Sequence, residues 1–94
     1  MGFRLRLQLP GCRTLKDRRS VVEGIVHGAK SRHGFSASDV SDPLKIDYAE
    51  IGFAAVGKNE NELRGRFDRV TASAENGGEA LILGVEELMV SEEN

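Results

Sequence analysis

The sequence predicts a single α+β domain in which strands and helices follow one another as β-α-β-β-α-β. Three observations carry that expectation. A period-two apolar alternation opens the chain, two amphipathic stretches with capping residues follow at helical spacing, and an almost uncharged apolar segment lies between them. The 94 residues fit one domain and leave no room for a second.

In the first strand Phe3, Leu5, Leu7 and Leu9 share one face, and Arg4, Arg6 and Gln8 share the other. Pro10-Gly11 is a turn dipeptide and ends it. Thr14 is the expected N-cap of the first helix, with Asp17 at the third helical position as its capping-box partner. Leu15, Val22, Val26 and Ala29 then recur at helical spacing. The helix is expected to reach about Arg32, with Gly34 just past its end.

Phe35 to Val40 is short and Ser-rich, which suits an edge strand, and Asp42-Pro43 breaks the chain after it. Ala49 to Val56 is the expected central strand, with Ile51, Phe53 and Ala55 on one face and Gly52, Ala54 and Val56 on the other. Asn59 and Glu62 have the spacing of a second capping box. Leu63, Phe67, Val70 and Ala74 form the stripe of the second helix, and Asn76-Gly77-Gly78 ends it. The last strand is expected over Ala80 to Val90, with Leu81, Leu83, Val85 and Leu88/Val90 as its apolar residues. Its change of phase predicts a bulge near Glu86-Glu87. Two right-handed crossovers in this order give a ferredoxin-like βαββαβ sandwich: a four-stranded antiparallel sheet with strands one and three central and both helices on one face.

Composition narrows the function classes. A lone cysteine, Cys12, cannot close an internal disulfide, and no apolar run is long enough to span a membrane. A reducing, cytoplasmic setting away from membranes is therefore the expectation. The net charge of −2 conceals a division. Residues 1–33 hold eight Lys and Arg against Asp17 and Glu23, whereas residues 34–94 hold five against thirteen acids. Such a split suits an anionic partner for the basic half, or association of opposite patches.

The segment from Leu9 to Val22, Leu-Pro-Gly-Cys-Arg-Thr-Leu-Lys-Asp-Arg-Arg-Ser-Val-Val, resembles the signature of the YlxP-like family of small bacterial proteins of unknown function. Its core is Ser/Thr-Leu-Lys followed by paired basic residues. Ala49-Glu50-Ile51-Gly52-Phe53-Ala54 resembles the second block of that family. Where family members often carry Trp-Gln, this chain has Ile46-Asp47-Tyr48. The resemblance implies the same ferredoxin-like fold. Through gene neighbours concerned with translation and ribosome maturation, it also implies an RNA or ribosomal role.

Arg13, Lys16, Arg18 and Arg19 crowd the first turns of the first helix, where the helix dipole disfavours cations by a few tenths of a kcal/mol each. A phosphate bound there reverses the sign. The expected site is thus an RNA or phosphate contact at these four residues, extended by Arg4 and Arg6, with RNA or a ribosomal particle as partner. The competing reading is a solvated basic face.

Stacking of bases on the sheet, as in RNA-recognition domains, is not expected, because strands one and three carry no aromatic in the outward phase. The uncovered face is an alternative homodimer or protein-partner surface. Gly52, Ala54 and Val56 are small or apolar there, and in such a dimer Arg4 and Arg6 would meet acidic partners such as Glu50.

No enzyme is expected. Gly24 to Ser31 has the wrong spacing for a phosphate loop and lies inside a helix. Gly24 and Gly28 are read as tolerated helix glycines. His27 and His33 lack further metal ligands beside them, and Asp39, Asp42 and Asp47 match no calcium loop, so no metal and no cofactor is expected. Cys12 sits among cations that favour a thiolate, but it has no base or orienting group and is read as a loop thiol.

Overall fold

A computed structural model describes residues 1–88. The elements are β1 (Gly2–Gln8), α1 (Leu15–His33), β2 (Ser36–Asp39), β3 (Tyr48–Ala54), α2 (Glu60–Asn76) and β4 (Leu81–Leu88). They form one antiparallel sheet of order β2-β3-β1-β4, the ferredoxin-like arrangement expected, with β1 and β3 central. Both helices lie on the face presented by the apolar phase of β1 and β3. α1 packs on β2 and α2, and α2 reaches β4.

Phe3, Leu5 and Leu7 of β1 stand directly opposite Phe53, Ile51 and Ala49 of β3, and all six are buried. Val22 and Ala29 of α1, and Leu63, Phe67, Val70 and Ala74 of α2, close the core from above. All four phenylalanines gather in it. Phe3 and Phe67 stack with centroids 4.1 Å apart, and Phe35 and Phe53 meet the cluster edge-on.

The helix ends show local chemistry at work. Thr14 accepts from the Asp17 amide at 3.1 Å, and the Asp17 carboxylate accepts from the Thr14 amide, so the capping box is complete. At the far end Gly34 adopts φ 71°, and the amide of Phe35 reaches back to the Ala29 carbonyl. A Cβ at Gly34 would lie 2.8 Å from Nη1 of Arg66, which donates to the His33 carbonyl. In α2, Asn59 accepts from the Glu62 amide, but Glu62 does not return the bond. Its two carboxylate oxygens accept from Arg66 one turn on, where a charged donor wins over a neutral amide.

Three expectations need correction. The β4 bulge falls at Leu83, which stands unpaired between Ile82 and Gly84, rather than at Glu86-Glu87. Gly84 lies under the guanidinium of Arg6, so closely that any Cβ there would collide with it. The residues expected as the apolar face of β4 are not buried: Leu81, Leu83, Val85 and Leu88 are exposed, Ile82 packs against the core in their place, and Val90 lies outside the described residues. β3 begins one residue early and includes Tyr48, and it ends at Ala54, leaving Val56 outside the sheet and exposed. No helix among the described residues is long and apolar enough to cross a membrane.

Candidate nucleic-acid interface

The six basic residues expected to form one site fall into three environments. Arg18 points inward and is only 3 % exposed. Its Nη1 donates to Asp39 Oδ2 at 2.7 Å, its Nη2 to the Ser41 hydroxyl at 3.0 Å, and its Nε to the Tyr48 carbonyl at 3.2 Å. Burial pushes the Asp39 carboxyl up, but hydrogen bonds from Arg18 and from the hydroxyl and amide of Ser41, together with the Arg18 charge, hold it below the ordinary aspartate range. Arg18 is therefore a clamp between α1 and the β2–β3 connection, and it does not join an outward patch.

Arg4 and Arg6 are on the sheet face away from the helices, as their phase requires. Arg4 is engaged by Glu86 at 2.8 Å. Arg6 stands opposite Glu50 in register but lies over Gly84 instead. They point away from the third group, Arg13, Lys16 and Arg19, which is exposed at the start of α1.

The anion that the start of α1 favours is already supplied by the chain. Asp17 accepts from the amides of Arg13 and Thr14 at 3.1 and 3.2 Å, and these bonds, with the Thr14 hydroxyl and Lys16, hold its carboxyl below the ordinary range. A phosphate seated on those amides would meet this carboxylate, so the helix terminus itself is not the attractive part. The side of the helix is.

Lys16, Arg19, Glu23, His27 and Lys30 are all exposed and fall within about 80° of the helix circumference at 3.6 residues per turn. They form a row about 21 Å long, at 1.5 Å rise per residue, with Arg13 at its head. Lys30 extends this row, and reasoning focused on the first turns overlooked it; the i, i+3, i+7, i+11, i+14 spacing was the available signal. Among the described residues no carboxylate comes within 4.0 Å of Arg13, Lys16, Arg19 or Lys30. In α2, by contrast, Arg64 is held by Glu60 and Glu87 and Arg66 by Glu62, which leaves Arg69 as the cation of that helix without a carboxylate within 4.0 Å among the described residues.

Beside the row, a groove of about 410 Å³ opens between α1 and the residues after β2. Leu15, Val22 and Leu44 give it an apolar lining, and Arg19 and Glu23 stand at it. In the phase of β3 that faces away from the helices, Tyr48 is half-buried opposite Gln8, with Lys45 Nζ 5.5 Å from its ring centroid. This corrects the expectation that strands one and three carry no outward aromatic. One tyrosine at the sheet's end still falls short of the two or three that stack bases in RNA-recognition sheets.

Cys12 is partly buried. Burial, then the carboxylates of Asp17 and Glu79, push its thiol up against the opposing pull of Arg18, so the expected thiolate bias is reversed. Among the described residues no three His, Cys, Asp or Glu side chains converge as metal ligands would.

Fold and surface together define a ferredoxin-like α+β domain with one cationic helix. Residues 2–87 match a family described as a protein of unknown function, DUF503, and the chain belongs to that family. No curated protein matches it.

Proposed function

We propose that this DUF503 chain is a binding protein for RNA, working on a ribosomal particle or its RNA, and that it grips the sugar–phosphate backbone along the exposed side of α1. The observation that carries the reading is the row Arg13, Lys16, Arg19 and Lys30, four cations against Glu23, with no carboxylate within 4.0 Å of them among the described residues, in a chain that pairs Arg4, Arg18, Arg64 and Arg66 internally. Cations left unpaired together attract a polyanion and release its counterions on contact. The adjoining apolar groove suits an unstacked base, which favours single-stranded RNA. The resemblance to YlxP-like proteins supports the ribosomal setting, and the reading calls for binding without catalysis.

Salt-titrated binding of a single-stranded RNA tests it. Four backbone contacts predict a slope of log K against log salt of roughly −3. Lys16→Glu with Arg19→Glu should weaken binding and flatten that slope by more than about 1 while leaving the thermal midpoint nearly unchanged. Arg18→Ala should instead lower the midpoint and leave the slope of the folded chain as it was. Unchanged affinity and slope in the Lys16/Arg19 variant would remove the reading.

A second reading is self-association through the sheet, favoured by the apolar residues that β4 leaves exposed. The centre of the uncovered face is less suited to it than the sequence suggests. Gly52 lies under Val40, and Arg4 already has Glu86 within its own chain.

A further inference from the structure

β4 leaves apolar residues in water on both faces of the sheet: Val85, opposite Leu5, is on the helix side, and Leu81 and Leu88, opposite Gln8 and Gly2, are on the other. Leu81 is 54 % exposed, Leu83 49 %, Val85 53 % and Leu88 41 %, on an eight-residue strand whose only neighbour in the sheet among the described residues is β1. An edge of this kind invites another strand unless it is short, charged or otherwise guarded.

The opposite edge is guarded: β2 has four residues, Ser-Ala-Ser-Asp, and exposes serines. The guards on β4 are disarmed. Glu86 is occupied by Arg4 and Glu87 by Arg64, each at 2.8 Å, so neither carboxylate is free to repel an incoming strand. The bulge, often a device that turns an edge away, sets one more leucine outward.

We infer that β4 is an interaction edge whose partner is β4 of a second copy, laid antiparallel to it, so that two four-stranded sheets run on into one of eight. The inference rests on the second reading above and moves the contact from the face of the sheet to its edge. The occupant follows from charge and shape. With both glutamates neutralised from within, the edge offers a foreign charged strand nothing to pair with. A copy of itself sets apolar residues beside apolar residues on either face of the joined sheet without like-charge repulsion, in the isologous contact that a two-fold dimer requires. The strands would sit about 4.8 Å apart with backbone bonds completed across them.

Sedimentation equilibrium of the full chain should give twice its 10.2 kDa mass. Leu83→Lys and Val85→Lys, each at an already exposed position, should return it to the single-chain mass with unchanged circular dichroism. Ala54→Lys on the sheet face should leave the dimer intact. Should the β4 variants misfold, amide exchange of the unaltered chain decides. β4 amides should slow as protein concentration rises, while those of β2 do not change. A dimer that survives folded Val85→Lys but is split by Ala54→Lys would overturn the edge contact and leave self-association standing. A single-chain mass with concentration-independent exchange would overturn both. The same holds for a single-chain mass with β4 protection that is lost when the chain is cut after Leu88, which would give the edge to the chain's own tail.

Discussion

Removing the carboxylate of Asp39 would strand a guanidinium that water can barely reach. The Arg18 side chain is 4 % exposed and its partner 21 %, so the cost falls on the arginine left behind. Asp39→Ala should destabilise the chain by about 3–5 kcal/mol in urea unfolding, as for other buried pairs broken on one side. Acid should act on the same contact. The Asp39 carboxyl titrates below its ordinary value in the folded chain, so the unfolded chain binds the proton first as pH falls. The stabilisation is complete above about pH 4, the ordinary aspartate value, and declines below it toward the depressed folded value. Asp39→Asn should therefore show a shallower loss of stability over that acid range. Within Arg13 to Arg19 the residue types alone do not separate a clamp from a contact. Helical phase does, since Arg18 and Arg19 lie about 100° apart, but the buried partners come from residues 39–48, and no local pattern brings those to the helix.

At the scale of one helix, Gly24 and Gly28 interrupt α1 without visible need. A Cβ at either would find nothing within 4 Å, and both border an open groove of about 160 Å³ between the helices. Each Gly→Ala change should stabilise the chain by up to about 1 kcal/mol, read as a rise of several degrees in the thermal midpoint. A loss instead would mean that another backbone approaches α1 there. Caps and stripes were legible because their causes are local: Thr14 with Asp17, Asn59 with the Glu62 amide, and Gly34 past the last turn. A bulge in β4 was legible from the change of apolar phase, but its place at Leu83 was not, because register is set by pairing with a strand distant in sequence. The second capping box was half legible, because Arg66 competes for Glu62 from one turn away.

Across the whole molecule, the strand order followed from connection handedness and from the nearly uncharged faces of β3. The core followed from period-two and helical patterns, which placed Phe3, Phe53 and Phe67 in it by phase; Phe35, just past the end of α1, joins them without such a signal. The excess of cations in residues 1–33 was legible as a number; its division was not. Folding sends Arg18 inward, spends Arg4 on Glu86, and leaves Arg13, Lys16, Arg19 and Lys30 along one helix. Acids of the later residues are drawn to Arg4, Arg64 and Arg66, so the two signs do not cancel over α1.

The side-by-side placement of the helices, α1 toward β2 and α2 toward β4, has a geometric consequence for a chain joined to its copy along β4. The symmetry axis then stands normal to the sheet, both α2 helices flank it, and the two α1 helices become parallel rails on the outer margins, facing the same way. A short oligonucleotide would occupy one rail, and a strand long enough to bridge both would gain from tethering, so affinity plotted against oligonucleotide length should climb abruptly at a threshold. The order of strands in the sheet would thus act as a ruler for the polyanion lying above it.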